Sequence, residues 1–519
     1  MNVTGEGLRI SGRAVCRIIA IVPFLLFTPG VAQAQTASPS SAEAQQRESV
    51  ERQLQELQSM RKDLQRQVED FNARIKALEV ELGATLPKEE AAPSPIESTN
   101  RLATTPSSPE DSRPLEEPKF WGAYEPGPAK GFVLVRAPLG ELDFGVLGYF
   151  RYLNQLGLDS SYTDAFERTK EFDRRQDFQV NRLQLMFRGW LFDERLKYQF
   201  WVWTQNTSMG EETQINVGGN AWYEFYDWLT FRAGIFSLPT TRSTSQSFPH
   251  WLKIDHRTMG DEFFRGSYTS GIMAEGKIAP GLQYKVALGN HLSTLGVGAS
   301  QLDPQLNTVA TGLWWMPTTK EFGPGLGFGD YEQHEELATL FGIHYSRSRE
   351  DRQSQPATDG FENTQLYLSD GTLIFSSDPF ATGGQINKLT YQMVALEAGF
   401  KLKGWSLEGE YYFRLLDEFD VTGNIPEDDV FDHGFQVQAS TMLLPKTLQT
   451  YVAGSKIFGE YGDPWEVGVG LTYFPFNRKE MRINFQALYE SQAPAGTSAL
   501  PYQPGASGWI YTLDLGVWF

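Results

Sequence analysis

Nine basic side chains fall on the polar side of alternating apolar and polar runs: Arg151, Arg182, Arg188, Lys197, Arg232, Lys277, Lys285, Lys401 and Arg482. Glu224, Glu275, Glu397, Glu408 and Glu410 occupy equivalent positions. Charges held along a narrow, low-dielectric passage sort ions by field rather than by bond making. The basic excess at these positions leans towards anions. The plainer alternative is that the charges pair across neighbouring strands and hold a wall together. A second group lies between Ser237 and Gly266, which carries Arg242, His250, Lys253, Asp255, His256, Arg257, Asp261, Glu262 and Arg265. Folded inward, this segment would build a constriction and set Arg242, Lys253, Arg257 and Arg265 against Asp261 and Glu262. Left outside, it would be a solvated surface loop.

Other chemistry has little to stand on. The sequence has no G-x-S-x-G, no H-E-x-x-H and no Walker loop. Asp255-His256 has no second ligand at a useful spacing. No enzymatic activity, cofactor or metal is therefore expected. A formal charge of −19 argues against nucleic acid as a partner.

The elements that must position these residues are strands. Tyr511, Leu513, Leu515, Val517 and Phe519 are apolar at period two, the pattern of a barrel strand with one face to lipid. Sixteen such runs are legible, from 144–155 to 508–519. In Met481 to Tyr489, Met481, Ile483, Phe485, Ala487 and Tyr489 oppose Arg482, Asn484 and Gln486. Tight turns such as Pro280-Gly281, Lys403-Gly404 and Pro445-Lys446 alternate with longer polar connections. That rhythm predicts an all-β, transmembrane, antiparallel up-and-down barrel of about 16 strands over residues 119–519. Segment 317–334 breaks it, being long where a short turn is due. Period two alone fits a soluble sandwich equally well, with the apolar side chains inward and the charges outward.

The first part of the chain reads differently. Arg9, Arg13 and Arg17 precede an apolar run from Ile18 to Phe27 and an Ala32-Gln33-Ala34 cleavage pattern, so residues 1–34 are expected to be a signal peptide. Its removal would take away Cys16, the chain's single cysteine. Val50, Leu54, Leu57, Leu64, Val68, Phe71, Ile75, Leu78 and Leu82 keep a heptad seam, which predicts an α-helical coiled coil within 35–83. A lone amphipathic helix is the alternative. Residues 84–118 read as a flexible acidic linker.

Several stretches together resemble the phosphate-selective porin O/P family of outer-membrane porins. They are Asn181–Gly189 (NRLQLMFRG), Ala221–Phe225 (AWYEF), Phe231–Pro239 (FRAGIFSLP), Leu396–Phe400 (LEAGF), Leu407–Tyr412 (LEGEYY), Gly470–Phe474 (GLTYF) and Arg482–Phe485 (RINF). The resemblance implies a sixteen-stranded barrel, usually trimeric, that conducts anions through inward-folding loops. The chain departs from the family in lacking a dense lysine cluster in its long loops. Acidic stretches, Asp417-Glu418-Phe419-Asp420 and Glu427-Asp428-Asp429, stand in one instead. Phosphate specificity is therefore not carried over.

The expectation is a water-filled channel for passive diffusion of small solutes, weakly favouring anions, phosphate or others. It would sit in outer-membrane lipid as a homotrimer, with its coiled coil in the periplasm. The alternative is a structural protein that tethers the envelope through that coil.

Overall fold

The structure, a computed structural model, describes Lys62 and residues 123–125, 131–206, 214–245, 247–254, 256–295, 297, 301–302, 305–355, 364–497 and 500–519. The expected signal peptide and linker, and all of the expected coiled coil except helical Lys62, lie outside the described residues.

Two short strands come first, β1 (Tyr124–Glu125) and β2 (Gly131–Ala137). The next is β3 (Gly140–Leu158), followed by a small separate hairpin of β4 (Ser161–Thr163) and β5 (Thr169–Glu171). The wall continues with β6 (Gln176–Leu191), β7 (Asp193–Asn206), β8 (Gln214–Tyr226), β9 (Leu229–Ser237), β10 (Tyr268–Ala279), β11 (Leu282–Asn290) and β12 (Thr308–Trp315). It is completed by β13 (Ala338–Asp351), β14 (Gln385–Leu402), β15 (Trp405–Thr422), β16 (Val430–Leu444), β17 (Leu448–Phe458), β18 (Trp465–Tyr473), β19 (Met481–Ser491) and β20 (Gly508–Trp518).

Each wall strand pairs antiparallel with the next, and β20 returns to β3 in the register Asp514↔Arg151 and Leu513↔Tyr152. The result is a closed barrel of 16 strands, as the alternation predicts. Below that seam β2 takes over as the partner of β3, with Phe132↔Phe144. Phe519 exchanges backbone bonds with Val146 at 2.8 and 2.9 Å, and its ring meets Phe132. The sequence reading had not recognised β1 and β2.

The faces are inverted relative to a soluble protein. Along β18 the exposed positions are Trp465, Val467, Val469, Leu471 and Tyr473, while Glu466, Gly468, Gly470 and Thr472 are buried. On β20, Leu513 is 47% exposed and its neighbour Asp514 only 1%. Water would not hold that arrangement together, because burial should favour the leucine. Lipid around a polar interior accounts for it. Exposed aromatics collect at both ends of the band. Phe192, Tyr226, Trp228, Trp315, Trp405 and Phe476 flank the tight turns. At the other end Trp465, Tyr489 and Trp509 stand side by side, with ring centroids 5.3 and 5.4 Å apart. From Trp465 to Tyr473 a strand tilted by roughly 40° rises about 20 Å, close to the height of a barrel's lipid-facing band.

The tight turns take the residues their geometry needs. At Lys403-Gly404 both φ angles are positive, 49° and 87°, and glycine tolerates this without strain. One expectation needs correction. The stretch Asp417–Asp420 is strand rather than loop, because β15 runs on to Thr422 and pairs Thr390↔Asp417 and Lys388↔Asp420. Segment 317–334 is a long connection folded back into the barrel, with Phe322, Leu326 and Phe328 buried. It is the long connection expected, and its apolar residues explain its length, since they pack inside the barrel.

Val469 lies midway along the exposed face of β18 and is 55% exposed. Val469→Arg should destabilise the folded barrel by about 2–4 kcal/mol, whereas Val469→Leu should be near neutral. Reversible urea unfolding in lipid vesicles measures both; equal stabilities would mean this face does not meet hydrocarbon.

Candidate permeation site in the barrel lumen

The loop between β9 and β10 enters the lumen. It carries two short helices, α1 (Arg242–Ser245) and α2 (Met259–Phe264), and its described residues from Leu238 to Ser267 are buried almost without exception. Thr258 caps α2 by accepting from the Asp261 N–H. Segment 317–334 comes from the opposite end and meets this loop. The Phe328 N–H donates to the His250 carbonyl at 2.8 Å, and Arg242 Nη2 donates to Leu326 O at 2.7 Å.

Irregular backbone inside a barrel has carbonyls that no strand satisfies, and leaving them bare is costly. Basic side chains of the wall supply the donors. Arg482 donates to Trp251 O and Pro249 O at 2.5 and 2.8 Å. Lys401 donates to Phe322 O and Gly327 O at 2.9 and 2.6 Å. Arg151 bonds Ile254 O at 3.0 Å while pairing with Asp514 at 2.6 Å. Arg414 bonds Phe263 O and Tyr367 O and pairs with Asp432 at 2.6 Å.

Within the loop, Arg257 and Arg265 approach Glu262 at 3.3 and 2.6 Å, and Arg257 lies 4.0 Å from Asp261. Arg242 and Lys253 pair elsewhere, against wall carboxylates. Arg242 meets Glu408 at 2.5 Å and Lys253 meets Glu466 at 3.3 Å. Tyr502, from the loop between β19 and β20, donates to Glu466 at 2.9 Å. Sequence reasoning passed over Glu466, Asp514, Arg414 and Tyr502. The first three share parity with recognised polar positions and could have been found; Tyr502 sits in an irregular loop with no periodic signal.

The other basic candidates lie on the side the loop leaves open. A cavity of about 310 Å³ is lined by Gln184, Arg188, Arg232, Lys285, Tyr268 and Trp518, among others. Its lining includes three cationic side chains and, among the described residues, no carboxylate. Behind it Glu275 pairs with Arg232 at 2.6 Å and with Lys285 at 3.2 Å. Arg182 lies over the Trp203 ring at 4.0 Å. Lys197 pairs with Glu224 at 2.8 Å, both partly exposed. Lys277 is exposed at the turn end of β10 and is not part of the cavity lining.

Histidines in the inserted segments differ in what they can sense. Burial holds His250 down at about 2 and His256 well below its usual value, so both are neutral. His334 is raised, chiefly by its hydrogen bond to Asp330, against the opposing effect of burial. Burial alone would raise Asp330, but bonds from His334 and the Gly404 N–H outweigh it and hold that carboxyl low. The pair fastens segment 317–334 to the β14–β15 turn. Its contribution is complete between about pH 4 and 6.5 and is lost as pH rises through the elevated His334 value or falls through the lowered Asp330 value. His334→Gln should lower stability by roughly 1–3 kcal/mol between about pH 4 and 6.5 and remove the loss on the alkaline side. Thermal unfolding of wild type and H334Q across pH checks this; superimposable profiles would rule the pair out.

No family model matches the sequence, and no curated protein matches it. Solved outer-membrane proteins are similar in fold. OmpT of Vibrio cholerae is 11% identical, with 74% of this chain and 99% of that one covered and a TM-score of 0.46. The anion-selective porin of Comamonas acidovorans is 10% identical, covering 73% and 99%, with a TM-score of 0.44. The channel DcaP of Acinetobacter baumannii is 12% identical, covering 73% and 97%, with a TM-score of 0.44.

Proposed function

We propose that this chain is an outer-membrane porin: a water-filled channel for passive diffusion of small solutes, with a preference for anions. One observation carries the reading. A closed wall with apolar side chains outside and charged ones inside keeps an open cavity beside its inserted loop, and that cavity presents Arg188, Arg232 and Lys285. A cation at a low-dielectric constriction lowers the barrier for an anion and raises it for a cation. Arg151, Lys401, Arg414 and Arg482, which hold loop carbonyls and do not line the cavity, act differently. They are committed to backbone and set the width of the passage rather than its sign.

The heptad seam from Val50 to Leu82 favours self-association, and a homotrimer belongs to the same proposal. Phosphate is one anion of suitable size, although the aromatic and amide lining does not single it out.

Planar-bilayer recordings test the reading. Purified, folded protein should give discrete conductance steps, and a salt gradient should give a reversal potential of anionic sign. Arg188→Glu, which reverses a lining charge, should move that potential towards the cation value; Lys277→Glu, outside the cavity, should leave it nearly unchanged. A folded barrel that carries no current would end the channel reading. Current with an unmoved potential in R188E would end the assignment of Arg188.

A further inference from the structure

Three lumen-facing side chains on adjacent strands converge where the inserted loop begins. They are His344 on β13, Glu397 on β14 and Glu410 on β15, and one ligand atom from each lies within 4.8 Å of the other two. All three are buried, at 0%, 5% and 4% exposure. We propose that they form a binding site for one divalent transition-metal cation of the zinc type.

The histidine is oriented as a ligand. His344 Nδ1 lies 3.1 Å from the Pro239 carbonyl, which can only accept, so Nδ1 carries the proton. Nε2 is thereby aimed at the carboxylates, with its outer nitrogen fixed by a carbonyl in the manner of metal-bound histidines. Nε2 stands 3.6 Å from Glu397 Oε1. That is too long for a hydrogen bond, though a protonated ring would form an ion pair at this distance. It is close to the roughly 3.4 Å that separates two ligands of one tetrahedral ion with bonds of about 2.1 Å.

Glu397 supplies the independent sign. Neither of its carboxylate oxygens, nor His344 Nε2, has a hydrogen-bond partner among the described residues. Two bare anionic oxygens at 5% exposure are costly unless something cationic meets them. Nearby cations are occupied: Arg242 faces Glu408 and the Leu326 carbonyl, and Lys401 holds Phe322 O and Gly327 O. Glu410 is the better-supported carboxylate. Its Oε1 accepts the Arg242 N–H at 2.9 Å, and its Oε2 accepts from Tyr412 and Gln436 at 3.0 and 2.6 Å. These bonds orient it and leave lone pairs for a metal.

The charge closes as well. One neutral imidazole and two carboxylates around a dication make a neutral unit, which a buried site favours. A fourth position would remain for water. One nitrogen and two oxygens suit zinc or cobalt better than calcium or magnesium, which prefer all-oxygen shells. No sequence motif announces the site, because its ligands come from three strands. Pro239 and Arg242 both belong to the first turn of the inserted loop, so an occupied site would fasten that loop to the wall.

The test uses the full chain, folded in detergent and stripped with a chelator. Titration with Zn²⁺ alone should show one tight site per chain. Co²⁺ should give visible absorption bands of a low-coordinate nitrogen–oxygen site, and Zn²⁺ should bleach them. His344→Ala and the near-isosteric Glu397→Gln should each weaken zinc binding at least tenfold, with folding checked by the heat-dependent shift in gel mobility. His334→Gln, which touches a different histidine, should leave the site intact. The proposal is overturned if wild type takes up no more zinc than H344A or E397Q, or if H334Q abolishes binding. Should both site variants fail to fold, the wild-type cobalt spectrum decides: bands that zinc bleaches support the site, and their absence overturns it.

Discussion

The pairing of β20 with β3 is the contact on which the rest of the structure depends. Hydrocarbon offers no partner for a backbone N–H or C=O, so a sheet exposed to lipid is tolerable only when it has no edge. The wall strands from β3 to β20 form an antiparallel meander that would leave two raw edges. The register Asp514↔Arg151 joins them, and the same two side chains form an ion pair across the seam. Where β20 stops, β2 continues the ladder on β3. Closure thus reaches the turn end of the barrel, and no length of β3 is left bare.

Closure creates a second demand. An interior wide enough to hold water also admits loops, and loops bring unsatisfied carbonyls with them. Arg151, Lys401, Arg414 and Arg482 answer this by donating to loop backbone. A guanidinium suits the task, since its several N–H groups can reach a carboxylate and a carbonyl together. The lumen charges therefore fall into two kinds. Those under the inserted loop fix its position. Across the cavity, Arg188 and Arg232 face the space that remains, and Lys285 does both, lining that space while donating to Ser245 O of the loop at 2.8 Å. Calling every inward cation a selectivity residue would merge these kinds, and they differ in what a substitution would do.

Two inserted segments from opposite ends meet in the lumen, through backbone bonds and through Phe328 packed against Trp251 and Leu252. Arg242 bridges them, bonding the carbonyls of Leu326 and Gly327 and pairing with Glu408 on the wall. Gly327 is needed at that meeting point: a Cβ there would lie 2.3 Å from the Cβ of His250. The space left in the lumen thus rests on packing between segments 84 residues apart at the Arg242–Leu326 bond.

Much of the wall was legible without coordinates. Period-two alternation located the sixteen barrel strands, since a side chain's face follows from its position along a strand whatever surrounds it. The same parity identified Arg151, Arg182, Arg232, Lys401 and Arg482 as inward. It could not say whether inward meant a dry core or a lumen. That was decided by burial, with Asp514 enclosed and Leu513 outside. Partner choice was not legible either. Arg242 and Lys253 share their loop with Asp261 and Glu262 yet pair with Glu408 and Glu466, which are distant along the chain. The inward fold of 317–334 and the meeting of His344, Glu397 and Glu410 are of the same type. Periodicity is a local property and the chain carries it openly. Contacts across a closed barrel depend on how many strands separate two positions and on which loops turn inward, and only the assembled ring fixes those.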